Sequence, residues 1–133
     1  EGGSLTSEDF VSFEFVNSNI SVILGTVGTT DTVSFELFSS QLYVAGDVDL
    51  DGNILSHHHF EDTTFDIVAG GDLLFRGRTD GYFLRTTGFV LGGSLRVIQN
   101  STLTMCESSV SLDGVGTLIV RDKGRVILDC QSL

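Results

Sequence analysis

The segment G-G-D-L-L-F, Gly70 to Phe75, returns as G-G-S-L-R-V from Gly92 to Val97. A-G-D-V-D-L from Ala45 precedes the pair and V-G-T-L-I-V from Val115 follows it, at spacings of 25, 22 and 23 residues. A second series interleaves with the first. V-S-F-E-F-V-N, Val11 to Asn17, recurs 22 residues later as V-S-F-E-L-F-S, Val33 to Ser39. A fixed period of this length marks a stacked-repeat architecture. Within each repeat, apolar and polar residues alternate with period 2, the pattern of a strand with one buried and one wet face.

Working outward, the leading apolar residue of each first strand serves as an anchor: Phe13, Phe35, Phe60, Tyr82, Leu103 and Val126. Seven residues after these lie Ile20, Leu42, Ile67, Phe89, Val110 and Leu133, and two further on Val22, Val44, Ala69, Leu91 and Leu112. A third strand supplies Val48 and Leu50, Leu73 and Phe75, Leu95 and Val97, and Leu118 and Val120. Short strands separated by Gly, Ser, Thr, Asn and Asp leave little room for helix. The expected fold is all-β: a single-stranded right-handed parallel β-helix, or β-solenoid, with three strands per coil and about 5.5 coils of 21–25 residues. Residues 1–10 are expected as a lead-in and 11–133 as the solenoid. Phe13, Phe35, Phe60 and Tyr82 are expected to form an inward aromatic stack.

Composition narrows the function classes. Among 133 residues there are 18 acidic and 7 basic side chains, a formal charge of −11, with 16 Gly and no Pro. Such a chain repels nucleic acid and anionic lipid and attracts cations or basic partners. No apolar run reaches membrane-spanning length. With Glu1 first and no basic leader, the sequence is expected to be a processed form or a piece of a longer chain.

The G-G-x-L-x-V rungs resemble the right-handed parallel β-helix of autotransporter passengers, polymorphic outer-membrane-type surface proteins, phage tailspikes and pectate-lyase-like enzymes. The resemblance covers about residues 11–133 and specifies architecture. It implies a secreted, cell-surface or virion-surface location and a long face for glycans or partner proteins. An asparagine ladder of the enzyme branch is missing, since only Asn17, Asn19, Asn53 and Asn100 are present.

Several residues are candidates for binding chemistry. With these anchors, Glu14, Glu36 and Glu61 stack outward in adjacent coils with His59 beside the last, a column that attracts a cation such as Ca²⁺; a solvated acidic face is the alternative. Asp47, Asp49 and Asp51 in D-V-D-L-D-G-N resemble the opening of a calcium loop, but His58 stands where the bidentate Glu is required. In the triplet His57-His58-His59 only His57 and His59 share a face, too few for zinc, and exposure at a projecting corner is the simpler expectation. Arg76, Arg96 and Arg121 are expected to bridge to Asp49 and Asp72 across coils. No catalytic constellation emerges, so the chain is read as a non-enzyme, a polysaccharide lyase or hydrolase fragment being the alternative.

Asn19 and Asn100 open N-glycosylation sequons at expected corners. Cys106 and Cys130 either form a disulfide across one coil, or Cys106 points outward and Cys130 is a buried free thiol. Tyr43, Val68, Val90 and Phe83 are expected to form an exposed apolar strip for a partner. The leading functional expectation is a structural or adhesive element that assembles with itself into a fibre or coat, or forms the stalk of a longer surface protein. A glycan-binding module is the alternative.

Overall fold

The structure is a computed structural model describing residues 3–7, 12–23, 25–29 and 34–128, with the backbone alone over 3–7, 25–29 and 53–55. It contains β1 (Gly3–Ser7), β2 (Ser12–Val16), β3 (Asn19–Val22), β4 (Gly25–Thr29), β5 (Ser34–Phe38), β6 (Gln41–Val44), β7 (Asp47–Glu61) and β8 (Thr64–Val68). There follow β9 (Asp72–Leu84), β10 (Thr87–Leu91), β11 (Ser94–Val97), β12 (Thr102–Cys106), β13 (Ser109–Leu112), β14 (Thr117–Val120) and β15 (Arg125–Leu128). All ladders between these strands are parallel, and they stack as a β-solenoid of about five turns.

Three faces follow from the pairing. The first runs β2, β5, the end of β7, the end of β9, β12 and β15. The second is β3, β6, β8, β10 and β13. The third is β1, β4, the start of β7, the start of β9, β11 and β14. The parallel ladder thus reaches back to Gly3–Ser7, within the stretch expected to lead into the solenoid. The long repeat after Ala45 is absorbed at one corner, where the register shifts between Gly52 and Ser56.

The third face has the register that its rungs announce: Val48, Leu73, Leu95 and Leu118 stack, as do Leu50, Phe75, Val97 and Val120. The first face does not follow the expected anchors. Phe35 pairs with His58, His58 with Gly81 and Gly81 with Leu103, while Leu37, Phe60, Phe83 and Met105 form the neighbouring inward column. Phe60 therefore lies two residues, and Tyr82 one residue, past the true anchor. Phe83, expected in the exposed strip, is buried; Tyr82, expected in the core, takes the outward position. On the second face the inward columns are Ile20–Leu42–Phe65–Gly88–Val110 and Val22–Val44–Ile67–Val90–Leu112. Val90 is accordingly buried and not part of a partner strip, whereas Phe89, Ala69 and Leu91 are exposed.

The two glycines in these columns make room for rings from other positions. A Cβ at Gly88 would overlap the ring of Phe65, and one at Gly81 would lie 2.7 Å from Cε1 of Phe75. Around them the core is aromatic. Phe60 and Phe83 stack at 5.0 Å between ring centroids, with Phe65 at 5.4 Å from Phe83 and Phe35 at 6.2 Å from Phe60.

The corner between the first and second faces has its own ladder. Asn17, Ser39, Asp62, Arg85 and Glu107 all adopt left-handed backbone, with φ between 47° and 50°. Each is followed by a hydroxyl residue: Ser18, Ser40, Thr63, Thr86 and Ser108. The Thr86 hydroxyl donates to the carbonyls of Phe60 (2.9 Å) and Leu84 (3.2 Å), and Thr63 does the same to Leu37 and Glu61. At this corner each hydroxyl caps carbonyls of two coils, and the carbonyls of Glu61 and Leu84 also accept the backbone N–H groups of Ser39 and Asp62. Thr86→Val keeps the shape and deletes the donor at a fully buried site. The expected loss is about 1–3 kcal/mol in urea unfolding, against a few tenths for Thr87→Val on the outer surface.

Candidate functional site

The outward side chains of the first face depart from an all-carboxylate column. Glu14 is followed by Glu36, then His59, Tyr82, Thr104 and Ile127. Glu61 pairs instead with Phe38 and Leu84, because the first inward residue of its coil is His58 and Phe60 is the second. Glu61 accepts from Arg85 at 2.7 Å and lies 3.1 Å from Nε2 of His59. Arg85 also grips Asp62 through two hydrogen bonds of 2.7 and 3.1 Å. Those bonds hold the Asp62 carboxyl below its ordinary range and raise the Arg85 guanidinium above its own. The His59 ring sits between Phe38 (5.5 Å) and Tyr82 (5.2 Å). Glu14, Glu36 and Glu61 therefore do not converge.

The aspartates of the calcium-like segment already face a cation. Arg76 donates to both oxygens of Asp49, at 3.0 and 2.8 Å, and approaches Asp51 at 3.3 Å. Burial nonetheless raises the Asp49 carboxyl, outweighing the guanidinium that pulls it down. Asp47 is exposed and stacks on Asp72, which Arg96 approaches at 3.4 Å. Arg121, expected in the same ladder, lies 3.5 Å from its neighbour Asp122. Among the described residues, no three His, Cys, Asp or Glu side chains are grouped to hold a metal ion.

The histidine triplet straddles the wall of the solenoid, since consecutive strand residues face opposite sides. His57 is exposed, 3.8 Å from Asp80. His58 points inward and is buried, which corrects the expectation of an exposed triplet. Its Nδ1 accepts the backbone N–H of Phe35 at 3.0 Å, while its buried Nε2 has no hydrogen-bond partner. Burial, then the neighbouring His57, lowers its pKa to about 3.

Both sequon asparagines are exposed, Asn19 opening β3 and Asn100 in a left-handed turn with φ 64°. Cys106 is buried, contrary to its expected outward direction, and is disulfide-bonded. Cys130 lies outside the described residues.

Two surfaces remain with chemistry unspent. The first is the outside of the second face. Tyr43, Asp66 and Phe89 stack there in one column, with Val68 beside Leu91 in the next. Asn19, Ser21, Gln41, Tyr43, Thr64 and Asp66 line a depression of about 230 Å³.

The second is the pair of ends. Leu118 is 42 % exposed where its stacking partner Leu95 is 1 %, Val120 is 43 % against 0 % for Val97, and Leu128 is 77 % against 9 % for Met105. At the other end Phe13 and Phe15 are only partly buried, while Phe35 and Leu37, one coil on, are buried. The pattern that identifies these residues in the sequence is inward position combined with membership of the first or last described coil.

No protein-family model, curated protein or solved structure matches this chain.

Proposed function

We propose that this protein is a structural subunit, displayed outside the cell or on a virion, that extends by stacking one solenoid on the next. The supporting observation is that the inward columns of the first face are buried in the middle and open at both described ends, with Phe13 and Phe15 at one terminus and Val126 and Leu128 at the other. Head-to-tail stacking brings Phe13 against Val126 and Phe15 against Leu128. Strand edges of β1 and β2 then complete ladders with β14 and β15. Such an interface is heterologous and does not close, so it propagates as a filament. The disulfide at Cys106 supports an oxidising, extracytoplasmic location. The same stacking serves an adhesin stalk, where neighbouring coils belong to the same longer chain.

Charge placed on the open coil tests this reading. Val120→Lys and Leu128→Lys are both at exposed sites and are expected to leave the circular dichroism unchanged. In sedimentation velocity they are expected to abolish association of the parent chain, whereas Leu91→Lys on the lateral surface leaves it unchanged. Association that survives the end variants and disappears with Leu91→Lys refutes end stacking.

A further inference from the structure

We propose that the outer surface of the second face binds a neutral, linear saccharide chain, with Tyr43 and Phe89 as stacking platforms and Asp66 between them accepting sugar hydroxyls. This goes beyond the structural reading and does not depend on it. On a chain of net charge −11, strands β3, β6, β8, β10 and β13 together carry one ionised residue, Asp66. The first and third faces hold the arginine–carboxylate networks instead. The second face is thus a nearly neutral strip on a strongly acidic molecule.

Its polar groups suit hydroxyls rather than ions. Asn19, Gln41 and Thr64 form one outward column, offering amide and hydroxyl donors and acceptors on consecutive rungs. Tyr43 and Phe89 are exposed and lie one rung either side of Asp66, so their rings are about 9–10 Å apart along the stack. An exposed aromatic face takes the C–H side of a pyranose ring, while the phenol of Tyr43 keeps a polar edge in water. Asp66 without a cation beside it disfavours acidic sugars.

Size argues against a protein partner on this strip. Five strands of four or five residues cover roughly 20 by 15 Å, about 300 Å² in projection, well under the ~800 Å² each side of a stable protein interface. A narrow, repeating, uncharged strip matches a narrow, repeating, uncharged ligand.

The experiment uses ¹⁵N-labelled protein from a bacterial host, so that Asn19 carries no glycan. Linear hexasaccharides of glucose, xylose, mannose and N-acetylglucosamine are titrated in turn, with hexagalacturonate as the acidic comparison. The expected result is saturable shifts of β6, β8 and β10 amides with at least one neutral sugar at sub-millimolar to millimolar Kd, and none with the acidic one. Tyr43→Ala and Phe89→Ala, both at exposed sites with unchanged circular dichroism, each weaken binding about tenfold or more. The proposal is overturned if no neutral sugar shifts these amides at about 10 mM, if both variants bind like the parent, or if hexagalacturonate binds best. Concentration-dependent shifts of the same amides without sugar indicate a second copy on this face and overturn it equally.

Discussion

Replacing Phe60 by alanine is expected to cost about 3–5 kcal/mol, enough to remove much of the stability of a domain this size. Phe60 is fully buried and lies against Phe35, Phe65, Phe75 and Phe83, which come from three different coils and all three faces. No neighbour can collapse into the gap without breaking its own ladder register, so the cavity persists. Phe83→Ala is expected to behave alike, and Tyr82→Ala to cost far less, because Tyr82 faces outward. Urea unfolding of the three variants checks both the magnitude and the register. Equal losses at Tyr82 and Phe83 contradict the core described above.

Acid is expected to destabilise the protein through His58. Its folded-state pKa is lowered to about 3 from an ordinary 6.5, so between those values the unfolded chain binds a proton that the folded chain excludes. Stability from the neutral imidazole is therefore complete above about pH 6.5, falls by about 1.4 kcal/mol per unit below it, and levels near pH 3. From pH 7 to pH 5, where most carboxylates remain ionised, the loss attributable to His58 is about 2 kcal/mol. His58→Asn keeps an acceptor near the position of Nδ1 for the Phe35 N–H and removes the titration. Denaturant unfolding at the two pH values should show the parent losing about 2 kcal/mol more than the variant. Equal losses place the proton elsewhere.

His58 also explains how far the sequence can be read. The third face was legible from β7 to β14 because each of those four rungs has apolar residues at both inward positions and a small residue at the preceding corner; β1 and β4 escaped it, with Ser7 and Thr29 in the register of Leu50. The first face was legible only where its inward residues are apolar. In the third and fourth coils those positions hold His58 and Gly81, and hydropathy passes over both to the next ring, Phe60 or Tyr82. The offset of seven is itself sound: Phe35 to Leu42, His58 to Phe65, Gly81 to Gly88 and Leu103 to Val110 all obey it. A glycine inside the core is meaningful only when the ring that fills its space is known. For Gly88 that ring is Phe65, contributed by the adjacent coil.

The same slip displaced the candidate surfaces. Moving the anchor from Phe60 to His58 removes Glu61 from the carboxylate column and places His59 there, and moving it from Tyr82 to Gly81 buries Phe83. Tyr43 was read as exposed because its coil has a clean alternation between Leu42 and Val44. Phe89 was lost because Gly88, not Phe89, continues the Leu42–Phe65 column. The Ser/Thr corner ladder did leave a trace: N-S, S-S, D-T, R-T and E-S at 17–18, 39–40, 62–63, 85–86 and 107–108 recur at 22 or 23 residues. The residue type differs from that of an asparagine ladder, since a hydroxyl performs the carbonyl-capping task by donation alone.

End stacking requires that open, apolar end coils continue the parallel ladder from one copy to the next. Fibre diffraction from concentrated protein, after electron microscopy of the same sample, tests it most directly. Filaments with a meridional spacing of about 4.8 Å are expected, the rung repeat running along the filament axis. Dispersed particles at every concentration, or fibres whose 4.8 Å spacing lies across the axis, would contradict it.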